Sequence, residues 1–243
     1  SNYSIIDFNL AKSDSVWGSD DDTDIEYMYQ ELILENDNLR LRPNQIRDGW
    51  LKHISKEEEN FLWVSNQKAF DLMQEGFMPP ETSNPKNNQF YEMIDAQLTT
   101  EIFGLYSPNY PGVGLSMAYL PIRTVARENA AWISEFYIIM HSIASLETSH
   151  KNIKGKVFWM SEQARKVLPN ASYSAKMYDY VKSKYESGIS WEQTRDSLNY
   201  KYQINNEDGY NWSKIDKSCN GCFAAGINFG ASIISLFYGE GDF

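Results

Sequence analysis

The chain has 243 residues, and its 22 lysines and arginines against 33 aspartates and glutamates give a formal net charge of −11. A surface of that sign repels phosphate backbones and anionic membranes, which argues against nucleic-acid binding through a basic face. Hydrophobic residues make up 42% of the chain and the mean hydropathy is −0.53, which excludes a disordered chain and a membrane protein with several spans.

Helical periodicity runs through the first half of the chain. Apolar residues recur at steps of three and four over 23–36, and Pro43 can open a second helix. A third helix is predicted from about Asn60 to Gly76, and residues 77–88, with three prolines, form a loop. Helical periodicity resumes over 89–105.

The second half is predicted to be helical as well. A short helix ends near Pro121, and a long apolar helix follows over about 128–146. More exposed helices cover 172–186 and 191–202. No run alternates apolar and polar residues for the length of a strand. The predicted fold is therefore all-α, a single compact domain of eight or nine helices over residues 1–243.

An uncharged run of 22 residues lies between Lys217 and Glu240, which is long enough to cross a bilayer. Glycines, serines and asparagines dilute it, and only 223–238 is continuously helix-like. We interpret it as a buried central helix rather than a membrane anchor. We expect a soluble protein without a membrane partner, and we favour the cytoplasm unless a signal peptide has been removed.

The sharpest local feature is an acidic run at the start of the first helix, in which Asp20, Asp21 and Asp22 are consecutive. Such oxygen clusters bind hard cations such as Mg²⁺ or Mn²⁺. The alternative is helix capping, because Thr23 and Glu26 have the spacing of a capping box and acidic residues suit a helix N-terminus. Capping needs one acceptor and leaves the aspartates repelling one another, so we favour a metal site.

Two further features, a cysteine pair and three polar residues in apolar segments, have both a functional and a purely structural interpretation. Cys219 and Cys222 have the spacing of half a zinc site or of a redox pair, but no second half follows, so we interpret them as small residues at the start of a packed helix. Asp95, Gln97 and Glu135 lie in apolar helical segments, where a buried polar group must be paired or must line a site.

Taken in order, these residues resemble the ADP-ribosylglycohydrolase superfamily. The resemblance begins at the run Asp20-Asp21-Asp22-Thr23, which looks like the family's first metal motif. It continues through the segments 79–83, 93–101, 104–108 and 135–137 and closes at Tyr238-Gly239-Glu240-Gly241-Asp242. The family's upstream glycine-rich stretch and its second Asp-x-Asp motif are not in this sequence, so we expect a fragment lacking both ends.

The resemblance implies an all-α hydrolase that cleaves ADP-ribosyl or related ribosyl glycosidic bonds with two magnesium ions, manganese being possible. It implies a small-molecule or protein-linked ADP-ribosyl substrate. Asp21 and Asp22 would then be catalytic residues and, with Asp20, the metal ligands. Gln97, Asn129 and Glu135 would contact the substrate.

Two other hypotheses stay open at this point. The chain could be an inactive ligand-binding or scaffold protein of the same fold that has lost half of its metal site. It could also be an all-α glycosidase that acts on ordinary sugars through paired carboxylates such as Asp95 and Glu135.

Overall fold

The computed structural model describes residues 20–55, 62–145, 152–217 and 219–242. These residues form α-helices, short 3₁₀ and π-helical segments and connecting turns without a strand, which confirms the all-α class. The helices are α1 (Asp21–Asn36), α2 (Pro43–His53), α3 (Val64–Gln74), α4 (Asp95–Thr99), α5 (Ile102–Leu105), α6 (Pro111–Val125), α7 (Glu128–Ala144), α8 (Ile153–Ala164), α9 (Tyr173–Glu186), α10 (Trp191–Leu198), α11 (Trp212–Ile215) and α12 (Ala225–Gly239).

Helix α7 is the centre of the core, because it packs against α4, α5, α6, α8 and α12. Its residues Ile133, Phe136 and Ile138 have no exposed surface. The ring of Phe136 lies edge-on to Phe229 of α12, with 5.2 Å between centroids, and 6.0 Å from Tyr178 of α9. A helix that is apolar on several sides is stable only when neighbours cover it, as they do here.

Helix α12 confirms that the uncharged run forms a buried helix. Its small residues allow close packing: a Cβ at Gly226 would lie 2.6 Å from the ring of Tyr210, and one at Gly230 would lie 2.7 Å from Leu198. Across the described ranges, no helix combines the length and the apolar character needed to cross a bilayer.

Several helical boundaries differ from the prediction. Helix α6 does not end near Pro121 but continues to Val125, because buried Pro121 and Ile122 pack in the core and offset the hydrogen bond that a proline cannot donate. Residues 89–94 are not helical; the side chain of Asn88 accepts a hydrogen bond from the N–H of Phe90 and holds a turn. Helix α8 was not among the predicted elements. The predicted ends at Asn60 and Leu146 lie outside the described residues.

Gly104 of α5 should be one of the least replaceable residues of this core. A Cβ there would lie 2.5 Å from the carbonyl oxygen of Ile138 and 2.7 Å from Cβ of His141, so α5 and α7 would have to separate. We expect Gly104→Ala to lower the free energy of unfolding by about 1–3 kcal/mol in urea denaturation. Gly112→Ala is the matched control, because that position in α6 faces open space. Equal unfolding midpoints for the two variants would contradict the close approach.

Candidate metal centre

The first turn of α1 and the first turn of α4 bring four aspartates to one small cavity of about 140 Å³. Two aromatic side chains, from the residue before α3 and from the turn before α12, complete its wall. The lining residues are Asp20, Asp21, Asp22, Trp63, Ile94, Asp95, Leu98 and Phe223. No lysine or arginine is among these described lining residues.

The capping of α1 differs from the box that the sequence suggested. Asp20 is the N-cap residue, and its Oδ1 accepts from the N–H of Thr23 at 3.5 Å. Glu26 does not reach back along its own helix, because its Oε1 accepts from the N–H of Ile102 in α5 at 3.1 Å. One carboxylate therefore caps α1, and the capping box formed by Thr23 and Glu26 is wrong.

Asp21 and Asp95 are held in place by the N-terminus of α3. Oδ2 of Asp21 accepts from the N–H of Trp63 at 3.1 Å and from Nδ2 of Asn66 at 2.8 Å. Oδ1 of Asp95 accepts from the N–H of Asn66 at 3.1 Å. Both aspartates are buried, at 3% and 4% exposure. Both carboxylates lie at the N-terminal, positive end of the α3 dipole.

Asp22 has the least favourable environment of the four. Burial and, after it, the nearby charges of Asp21, Asp20 and Asp95 together raise its pKa to about 7. Burial also raises the pKa of Asp95 to about 6, although the hydrogen bonds that it accepts oppose this change. The cavity therefore concentrates negative charge in a partly dehydrated place.

The acidic surface continues along the seam between α1 and α5. Burial raises the pKa of Glu101 to about 7, and the charges of Glu26 and Asp22 contribute to the rise. Glu101 and Gln97 line a second cavity of about 360 Å³, which shares Ile94 and Leu98 with the first. Oε2 of Glu101 and Oε1 of Gln97 are buried and lack a hydrogen-bond partner among the described residues.

The donor set of the first cavity suits a small divalent cation. Its charged donors are all carboxylate oxygens, the ligand type that Mg²⁺ and Mn²⁺ prefer. A cation would also offset the repulsion that raises the pKa of Asp22. Asp20, Asp21, Asp22 and Asp95 are the residues that would hold such an ion, and their side chains would have to turn towards it, because no three of these carboxylates lie within 4.8 Å of one another.

The structure places the remaining sequence-predicted residues in three different surroundings. Gln97 lies in the neighbouring cavity. Asn129 is buried at the start of α7, where it donates to Glu92 at 3.0 Å and accepts from Ser174 at 3.0 Å. Glu135 forms an ion pair with Arg123 at 3.0 Å. Of these three, only Gln97 lies next to the aspartates.

Sequence reasoning missed two residues of this centre. Asp95 was predicted to be paired or to line a site, or to be half of a glycosidase pair, but it was not grouped with the aspartates of α1. Asn66 gave no local signal, because its role depends on Asp21 and Asp95, which lie 45 and 29 residues away.

The two cysteines also differ from their interpretation. They are not part of a packed helix but lie in an exposed turn before α12, joined by a disulfide. Three consecutive residues, Cys219, Asn220 and Gly221, have positive φ values of 34°, 56° and 79°. Such backbone cannot be helical, so α12 begins only at Ala225.

Comparison with protein-family models, with curated proteins and with solved structures finds no match for this chain. The family resemblance therefore stays a prediction.

The charge repulsion at Asp22 predicts a pH-dependent stability in the absence of divalent cations. The carboxyl has a pKa of 3.8 in its ordinary state and about 7 in the folded protein, so the folded state binds the proton more tightly. This contribution is fully present below about pH 4 and is lost as the pH rises through about 7. Since Asp22 is only half-buried, we expect a loss of about 1–2 kcal/mol after solvent screening.

Urea denaturation between pH 4 and 8 would measure this loss. Asp22→Asn should remove that part of the pH dependence and unfold at higher urea than the wild type at pH 8. Asp24→Asn, an exposed change in the same helical turn, should keep the wild-type profile. Parallel profiles for Asp22→Asn and the wild type would show that the repulsion is absent.

Proposed function

We propose that this protein is a metal-dependent hydrolase that cleaves ADP-ribosyl or related ribosyl glycosidic bonds. The observation that carries the proposal is the convergence of Asp20, Asp21 and Asp22 from α1 with Asp95 from α4 on one cavity whose described lining has no basic residue. The resemblance supplies the reaction class, with two magnesium ions, or manganese, as cofactor. The cluster supplies four carboxylates that suit such a cofactor.

The protein's own contribution would be to hold the carboxylates before a ligand arrives. Asn66 and the N–H of Trp63 fix Asp21, and Asn66 also fixes Asp95. The rings of Trp63 and Phe223, 5.2 Å apart, shield one side of the cavity from water. Bound magnesium ions would supply Lewis-acid polarisation and an activated water at this place.

Gln97 is the candidate substrate contact with the best position, because its cavity shares a wall with the aspartates. Asn129 and Glu135 stay predictions from the resemblance, and their described contacts are Glu92, Ser174 and Arg123. A glycosidase pair of Asp95 and Glu135 gains no support, since Asp95 lines the acidic cavity whereas the carboxylate of Glu135 is paired with Arg123.

Replacing the central aspartates should abolish turnover without unfolding the protein. We expect Asp21→Asn and Asp22→Asn each to lower the release of ADP-ribose at least about a hundredfold, because each removes a charge from the cation site. The assay is magnesium-dependent product release from arginine-, serine- and nucleobase-linked ADP-ribosyl substrates, with circular dichroism to confirm folding.

Asp24→Asn is the matched control and should keep its activity. Activity that survives in Asp21→Asn and Asp22→Asn, or that ignores EDTA, would refute the proposal. Binding of ADP-ribose that ignores EDTA, with no product from any substrate, would instead identify an inactive binding protein.

Asn66 should control cation binding without being a ligand. Asn66→Ala removes the donor to Asp21 while its backbone N–H still reaches Asp95, so we expect Mn²⁺ affinity to fall about tenfold or more. Isothermal titration with Mn²⁺ measures it. Gln67→Ala, which removes a neighbouring side chain that bonds to Asp71, should bind Mn²⁺ like the wild type. An unchanged Mn²⁺ affinity in Asn66→Ala would show that the hydrogen bond from Asn66 to Asp21 does not position the site.

A further inference from the structure

We propose that the turn before α12 is a redox-gated site for a thiophilic divalent ion such as Zn²⁺, held by Asp216, Cys219 and Cys222. The proposal is independent of the proposed hydrolase function. It concerns a different set of ligands and a different class of ion from the acidic cavity.

The geometry brings three ligand atoms of two chemistries together. One carboxylate oxygen of Asp216 and the two sulfur atoms all lie within 4.8 Å of one another. The Cα atoms of the two cysteines are 5.4 Å apart, and both side chains are exposed. Asp216 is buried at 2% exposure, so its carboxylate approaches the sulfur atoms from beneath the turn.

The turn is fastened to the fold on several sides, so its ligands have a rigid support. The N–H of Phe223 donates to Oδ2 of Asp216 at 2.9 Å, which orients the carboxylate. Asn228 donates to the carbonyl oxygen of Cys222 at 2.7 Å, and Gln203 donates to that of Asn220 at 2.8 Å. A support of this kind orders metal ligands and raises the affinity for the ion.

Gly221 makes this position of the turn possible. Its φ is +79°, which residues other than glycine rarely adopt. A Cβ at this position would also lie only 2.9 Å from the side chain of Trp212. The turn is thus packed against α11 rather than extended into solvent, and its shape does not depend on the sulfur atoms alone.

The donor set selects the kind of ion. Two thiolates at the Cys-x-x-Cys spacing and one carboxylate suit Zn²⁺, which accepts sulfur and oxygen ligands in a tetrahedron. Mg²⁺ and Mn²⁺, which favour oxygen, suit the acidic cavity instead. Three protein ligands leave a fourth position for water or for a small ligand.

The redox state decides whether the site exists. In the disulfide the sulfur atoms are bonded to each other and are not thiolates. A dithiol reductant transfers two electrons and two protons, which converts the disulfide into two thiols while the reductant becomes its own disulfide. Binding of the ion then releases the two thiol protons. Because both cysteines are exposed, a reductant reaches them without unfolding the protein.

The test is a titration of the whole chain with Cd²⁺ after reduction by a dithiol and removal of the excess reductant. Thiolate-to-cadmium charge-transfer absorbance reports sulfur ligation directly. We expect one Cd²⁺ with this absorbance in the reduced protein and none in the oxidised protein. Thiol counting should give no free thiol before reduction and two afterwards.

The variants assign the ligands. Cys219→Ser with Cys222→Ser should abolish the absorbance, and Asp216→Asn should weaken Cd²⁺ affinity about tenfold or more while keeping an acceptor for the N–H of Phe223. Asp21→Asn with Asp22→Asn should leave it unchanged, which separates this site from the acidic cavity. Absence of the absorbance in the reduced wild type, or wild-type affinity in Asp216→Asn, would overturn the proposal.

Discussion

The candidate centre depends on the two hydrogen bonds that Asn66 donates to Asp21 and Asp95. Two carboxylates in a shared cavity repel each other, and burial makes that repulsion stronger. Here the N-terminus of α3 offsets it, since the N–H groups of Trp63 and Asn66 and the helix dipole all favour negative charge at that point. Without this helix N-terminus, the repulsion between Asp21 and Asp95 would favour separation of α1 from α4.

The same balance explains why Asp22 stands apart from its neighbours. Asp21 and Asp95 accept donors from α3, whereas burial and three nearby aspartates raise the pKa of Asp22 to about 7. Fold stability and a concentrated acidic site therefore work against each other at this residue. Glu26 and Glu101 extend this unfavourable concentration of negative charge along α1. A bound cation would be the simplest way to offset the repulsion.

The fold was predictable where the signal is local, and the site was only partly so. Apolar spacing located α1, α7 and α12 to within about two residues at each described end. The predicted helix end near Pro121 was wrong because the missing hydrogen bond of the proline is offset by core contacts. Those contacts come from residues that are distant in the sequence. Asp20 to Asp22 were found because they are consecutive, whereas Asp95 and Asn66 join them only through tertiary structure.

The three polar residues predicted to contact substrate show how a structure refines such a hypothesis. A polar side chain in an apolar helix must be paired or must meet a ligand, and the sequence does not distinguish the two. Asn129 has Glu92 and Ser174, and Glu135 has Arg123, so folding alone explains both. Oε1 of Gln97 has no partner in the described part of the chain. Folding alone therefore does not explain why Gln97 is buried. Because Gln97 lies beside the aspartates, a ligand bound there would be the best explanation, since it could donate a hydrogen bond to this buried oxygen.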